Sequence, residues 1–222
     1  VVTAYDNEAQ HIIDMLWLKL IKKLQHISFY GNDSVFLAIA GIWKAQAAIW
    51  TTVLITEFWV EKIINVGIAG NLRWQEIKIW DVFLISSVFQ HDVYLPFGWS
   101  HLDYIKKGIN LPTRCDVNVW GLDFWYYENG ICVTWDEFID KKERCDDLQK
   151  RYWADVAEME AFAVATVARE FWLLDNTFII KAVSDWADSD ASVAHEDNLD
   201  FAMKNSLHIL KEVLKLYIFW IL

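Results

Sequence analysis

Residues 154–185 read ADVAEMEAFAVATVAREFWLLDNTFIIKAVSD, and this stretch decides the fold class. Ala154 to Ala157 is a short β-rich run, Glu160 to Phe171 follows helical spacing, and Thr177 to Val183 is a second β-rich run. An acid marks each boundary: Glu160 where the helix opens and Asp185, after Ser184, where the last strand ends. In an open α/β sheet, ligand contacts gather at such ends. Glu8, near the start of the chain, is the third acid in a comparable position.

Outward from this unit the alternation continues. Residues 6 to 25 have helical spacing at Ile12, Ile13, Leu16, Leu18, Leu20 and Ile21, with Asp6 or Asn7 available as a cap. His26 to Tyr30 and Ser34 to Ala40, separated by Gly31-Asn32-Asp33, predict a hairpin. Lys44 to Thr56 predicts a buried helix, Lys62 to Val66 a short strand running into Gly67-Ile68-Ala69-Gly70, and Asp81 to Phe89 another strand. Periodicity fades from His91 to Asn129, where an insertion or lid is expected. Gly130 to Thr134 then predicts a strand and Asp140 to Lys150 a helix. Residues 196 to 218 predict a closing helix with Leu199, Met203, Leu207, Leu210 and Leu214 on one face. Strands alternating with helices indicate a three-layer α/β/α sandwich, and 222 residues fit one domain, 1–222.

Composition narrows the function classes. A net charge of −11 repels a phosphate backbone and argues against nucleic acid as a partner. The one basic cluster, Lys141-Lys142-Arg144 with Lys150-Arg151, reads as a solvated helix face. No apolar run approaches the roughly 18 residues of a membrane span, and no basic, apolar leader is present, so a cytoplasmic protein is expected. The terminal Leu216 to Leu222 is an apolar tail, read as packing of the last helix or as a contact surface. Cys115, Cys132 and Cys145 lack paired spacing and read as reduced thiols. His91-Asp92 with His101 and Asp103 matches no ligand spacing, so no metal is expected. There are 14 Trp and only 8 Gly, where roughly 15 Gly are usual at this length.

Four segments in fixed order carry a resemblance: Ala4-Tyr5-Asp6-Asn7-Glu8-Ala9, Asn65-Val66-Gly67-Ile68-Ala69-Gly70, Ala157-Glu158-Met159-Glu160-Ala161 and Ala182-Val183-Ser184-Asp185. Together the chain resembles the purine nucleoside phosphorylase and uridine phosphorylase superfamily, and within it the 5′-methylthioadenosine/S-adenosylhomocysteine nucleosidases. The resemblance implies a mixed, twisted sheet, a homodimer, a nucleoside substrate with water as co-reactant, and no cofactor. It implies hydrolysis of an N-ribosidic bond, with Asp185 as general acid to the purine and Ser184 orienting it. Glu160 would accept the ribose hydroxyls and favour a cationic sugar. Met159 would pack under the ribose, with Glu158 beside it, and Glu8 would activate water. Phe138 would stack on the purine, and the Ile139 backbone would meet the adenine edge.

Three departures from the family accompany these matches. Trp43, Trp80 and Trp135 stand where the family places Gly, implying strain or crowding. Ile68 replaces a hydroxyl residue, and Lys181 replaces Arg, a point charge in place of a fork. The five arginines lie outside the N-terminal segment, where Glu8 would repel phosphate, so water is favoured over phosphorolysis. A futalosine-type hydrolase, a phosphorylase and an inactive binding or storage member stay open as alternatives. Phe97, Leu102, Tyr104 and Leu111 are candidates for the pocket around the 5′ substituent.

Overall fold

Alternation along the last strand sets the layers. Phe178, Ile180 and Ala182 point into one core with Ile12, Leu16, Leu199, Met203 and Leu210, while Ile179 and Val183 point into another with Ile85, Ala161, Phe162 and Ala165. Both faces of the strand are covered, so it reads as a continuous apolar run rather than an alternating one. Full burial of Phe178, Ile179 and Ile180 stabilises by roughly 1.5 to 3 kcal/mol each.

The computed structural model describes residues 1–24, 27–73, 76–93, 107–112, 115–118 and 120–218. In chain order the elements are β1 (Val2–Thr3), α1 (Asp6–Leu16), β2 (Lys19–Lys23), β3 (Ser28–Gly31), β4 (Phe36–Ile39), α2 (Lys44–Phe58), β5 (Ile63–Asn71), β6 (Val82–Gln90), β7 (Ile109–Asn110), β8 (Tyr126–Thr134), α3 (Lys142–Tyr152), β9 (Val156–Glu158), α4 (Ala161–Glu170), β10 (Thr177–Asp185) and α5 (Ala191–Lys215). Helices α1 and α5 pack on one side of β5 and β10. Helix α4 packs on the other side, with α2 against it through Ala47, Leu54, Ala163 and Val164.

Helices and a mixed sheet are present as the sequence implies, but the sheet is not an open layer. Strand β5 runs parallel to β10 and antiparallel to β9, β9 is parallel to β8, β8 parallel to β6, and β6 antiparallel to β10. The ladder β10–β6–β8–β9–β5 therefore closes on itself in a barrel-like ring, and β1, β4, β3 and β2 extend it from β5. Antiparallel β3 and β4 form the expected hairpin.

Several boundaries differ from the periodicity, each for a physical reason. Helix α1 ends at Leu16 because Trp17 turns left-handed, and Leu18 N–H reaches back to Ile13 O at 3.1 Å. Lys19–Lys23 then pairs with β3 as a strand, leaving Leu20 and Ile21 exposed. Gly67-Ile68-Ala69-Gly70 continues β5 instead of turning out of it. Strand β8 begins at Tyr126 and helix α5 at Ala191, both earlier than the apolar pattern suggests.

The tryptophans at glycine-like positions divide. Trp43 (φ 99°) and Trp80 (φ 79°) do sit in backbone that favours Gly, and so do Trp17, Trp59, Trp153 and Trp172. Trp135 has no positive φ. Its ring lies edge-on to His91 at 4.7 Å and 4.4 Å from the Arg144 guanidinium.

Candidate active site

Two glycines on β5 allow acids to press against a strand. A Cβ on Gly67 would lie 2.8 Å from Glu8 Oε1, and a Cβ on Gly70 would lie 2.8 Å from Asp185 Oδ1. Only a residue without a side chain admits such contacts. Two residues separate these glycines, which places their backbones roughly 10 Å apart along the strand at about 3.3 Å per residue.

Glu8, in the first turn of α1, is 2% exposed. Its Oε2 accepts from Thr3 Oγ1 at 2.7 Å and Ala4 N–H at 2.9 Å, and its Oε1 accepts from Ile68 N–H at 3.1 Å. Ile68 thus contributes through its backbone, which needs no hydroxyl side chain.

Asp185 closes β10 at 1% exposure. The register between β10 and β5 shifts between Val183 and Asp185, and such an irregularity re-aims side chains at a strand end. Ser184 Oγ donates to Asp185 Oδ2 at 2.8 Å, and Ala187 N–H donates to Oδ1 at 2.9 Å.

Glu158, Glu160 and Lys181 form a buried triad. Glu158 accepts from Thr134 Oγ1, from the N–H groups of Glu160 and Ala161 at the start of α4, and from Lys181 Nζ at 2.8 Å. Both its oxygens are engaged, so it anchors the helix start beneath the cavity. Lys181 Nζ lies 3.9 Å from Glu160, whose Oε1 accepts from Trp43 N–H at 3.2 Å. One ammonium therefore makes one close bond, as expected of a point charge in place of a fork. Burial would raise the Glu158 carboxyl, but Lys181 and the hydrogen bonds to it hold it below its ordinary value. Burial, then the charge of Glu158, push Glu160 up to about 8. The single cation neutralises Glu158 and leaves Glu160 partly uncompensated.

Glu8, Ile68, Phe138, Ile139, Glu158, Met159, Glu160 and Asp185 all line one cavity of about 620 Å³, part of it open to solvent. Ser184 and Lys181 act from behind it through Asp185 and Glu158. Tyr5, Ile42, Glu137 and His195 also line the cavity and had no role assigned from the sequence. His195 stands out among them. Its Nδ1 is 3.3 Å from Ser184 Oγ and its Nε2 is 3.0 Å from Tyr5 OH, with Phe138 edge-on at 5.6 Å. The sequence signal was an imidazole ten residues after Asp185, just ahead of the helix predicted from residue 196.

The remaining candidates lie elsewhere. Leu111 is buried in the core with Ile85 and Phe162, while Phe97, Leu102, Tyr104, His101, Asp103 and residues 219–222 of the apolar tail are outside the described residues. His91 is pushed down to about 4, first by burial and then by Arg144, and Asp92 pairs with Lys44.

With the acids on one cavity, kinship becomes interpretable. The family model of the phosphorylase superfamily matches residues 21–216. The chain belongs to that superfamily. Similar relatives include the 5′-methylthioadenosine/S-adenosylhomocysteine nucleosidase of Staphylococcus saprophyticus, 30% identical over 97% of this chain and 98% of that one. The aminodeoxyfutalosine nucleosidase of Helicobacter pylori is 27% identical over 85% of this chain and 83% of its own. Among solved structures, the 5′-methylthioadenosine/S-adenosylhomocysteine nucleosidase of Neisseria meningitidis in complex with methylthio-immucillin-A superposes with a TM-score of 0.80 at 26% identity, covering 96% of both chains. These relatives are named as nucleosidases, and the likeness extends over nearly the whole fold.

Proposed function

We propose that this chain hydrolyses the N-ribosidic bond of 5′-methylthioadenosine or S-adenosylhomocysteine, releasing adenine. As in its named relatives, the class of reaction is hydrolysis of an N-glycosidic bond. The observation that carries the reading is the convergence of Glu8, Glu160 and Asp185 on one cavity.

In this reading adenine lies between Phe138 and the Ile139 backbone, with its imidazole edge toward Asp185. Asp185, oriented by Ser184, gives a proton to N7 as the bond from C1′ to N9 breaks, which makes the base a neutral leaving group. Such transfer contributes about 10²- to 10⁴-fold. The sugar gains positive charge, and Glu160 meets it through the ribose hydroxyls over Met159. Glu8 takes a proton from water at the far end, and the resulting hydroxide equivalent adds to C1′. Electrons and protons balance: one proton enters adenine and one leaves water.

The chain is read as one domain, 1–222, working as a homodimer in the cytoplasm, its helices on two sides of a sheet in the three-layer sense. Water is preferred to phosphate because no Lys or Arg is among the described residues lining the cavity. A futalosine-type nucleoside is the second reading, favoured by the Helicobacter relative. Incubating the protein with 5′-methylthioadenosine, S-adenosylhomocysteine and aminodeoxyfutalosine, with and without phosphate, and separating the products by chromatography tests these readings. Adenine from the first two, independent of phosphate, is expected. Turnover of aminodeoxyfutalosine alone, phosphate dependence, or tight adenine binding without turnover would each overturn it in favour of a named alternative.

A further inference from the structure

We propose that His195 keeps Asp185 loaded with its proton, acting through the Ser184 hydroxyl. This rests on the reading of Asp185 as the general acid. Each turnover strips one proton from Asp185 and deposits one on Glu8, at the opposite end of the cavity. The site resets only when a proton leaves Glu8 and another reaches Asp185. Asp185 is buried at 1% side-chain exposure, whereas the His195 side chain is 25% exposed and 3.5 Å from it.

Ser184 Oγ lies between them, 3.3 Å from His195 Nδ1 and 2.8 Å from Asp185 Oδ2. A proton on Nδ1 passes to Ser184 Oγ as the Ser184 hydroxyl proton passes to Oδ2. His195 is left neutral and takes a new proton from solvent. Imidazole is the side chain suited to such exchange near neutral pH. Tyr5 OH, 3.0 Å from Nε2, and the edge-on Phe138 hold the ring in place. The other titratable groups among the described residues lining this cavity are Tyr5 and the carboxyls of Glu8, Glu137, Glu158, Glu160 and Asp185, so His195 is the one imidazole there. Glu196 follows it on α5. His195 is thus a positioning residue in the reaction, since it acts through Asp185 and not on the substrate.

The test replaces His195 by Phe, which retains a ring against Phe138 and Tyr5 but carries no proton. In H195F, kcat for adenine release is expected to fall about tenfold or more with little change in KM. It should then rise with the concentration of imidazole buffer at constant pH, while wild type stays flat. S184A, which cuts the same path, should show the same buffer dependence, and melting curves and adenine binding verify that both variants fold. A kcat close to wild type, or a low kcat indifferent to buffer in both variants, overturns the relay. Wild type that releases no adenine overturns the reading of Asp185 and the relay with it.

A separate observation carries a second inference. Six of the 14 tryptophans, Trp17, Trp43, Trp59, Trp80, Trp153 and Trp172, have φ between 49° and 99°. Trp17, Trp59 and Trp153 are left-handed caps at the ends of α1, α2 and α3. Trp172 follows α4, where Leu173 N–H closes the turn on Ala168 O at 2.8 Å. Glycine serves such positions because it has no Cβ to strain. All six side chains are exposed, from 42% at Trp80 to 93% at Trp172, so burial does not explain them. We infer that these are glycine positions and that the polypeptide made in its own host carries glycine there, one codon being decoded as glycine. Peptide mass spectrometry of the protein from its source cells should find glycine at all six, and joint Trp→Gly substitution in a protein carrying tryptophan there should raise Tm. Indole masses in the native peptides, or a lowered Tm, overturns the inference.

Discussion

Lys181→Met removes the one cation of the buried triad, and its cost follows from the geometry. Nζ lies 2.8 Å from Glu158 and 3.9 Å from Glu160. At an effective dielectric of about 20 the attraction to the ionised Glu158 is about 6 kcal/mol, and Glu160, held at about 8, adds little at pH 7.5. Desolvating the ammonium offsets much of that attraction. Breaking a buried pair while leaving its partner in place costs roughly 3 to 5 kcal/mol net, which is a large share of the typical 5 to 15 kcal/mol of folding stability. In urea, with a slope of about 2 to 3 kcal/mol per molar, the midpoint should fall by about 1 to 2 M at pH 7.5.

The pH dependence sharpens this prediction. Glu158 lies below its ordinary value because of Lys181. Without the cation, burial raises it, so the variant takes up a proton on folding. Stability is then recovered as pH falls, and the gap to wild type should narrow by pH 5. Lys181→Arg keeps the charge and restores a fork that can bond both glutamates, so it should stay close to wild type. Urea titrations of the three proteins at both pH values decide the matter. A K181M midpoint near wild type at pH 7.5, or a gap that does not shrink at pH 5, would refute the triad as described.

Three other perturbations have defined outcomes. Glu160 sits at about 8 in the folded chain against 4.5 for an ordinary glutamate, so wild type should lose stability as pH rises through that window while E160Q should not. Thermal melts from pH 4.5 to 8.5 should therefore show E160Q gaining on wild type throughout. Gly70→Ala puts a Cβ 2.8 Å from Asp185 Oδ1 and 3.3 Å from Ala187 Cβ. It should cost about 1 to 3 kcal/mol and depress kcat far more than KM, read by denaturation and steady-state kinetics. Glu8→Gln keeps its size but cannot take a proton, so adenine binding by calorimetry should survive while kcat drops by about 10² or more.

The acids were legible because each stands at an element boundary, and boundaries are where periodicity breaks. Asp185 ends an apolar run and Glu160 opens one, and both line the cavity. What stayed hidden depends on partners distant in sequence. The pairing of Lys181 with Glu158 follows from strands β10 and β9 meeting β5, and strand spacing carries no information about neighbours. Ring closure was hidden for the same reason. The engagement of Glu158 with Thr134 and the α4 N–H groups was hidden as well, since it spans 24 residues in one direction and two to three in the other. His195 escaped because α5 begins at Ala191, before the apolar stripe that signals the helix. The end of α1 was concealed because a tryptophan, not a glycine, marks its left-handed cap.

The most direct measurement is adenine release from 5′-methylthioadenosine by wild type and D185N, with adenine affinity measured on both. Wild type should liberate free base, and D185N should bind adenine yet turn over about 10² times more slowly or less. Equal rates in the two proteins would contradict the assignment of the proton donor, and with it the chemistry built around this cavity.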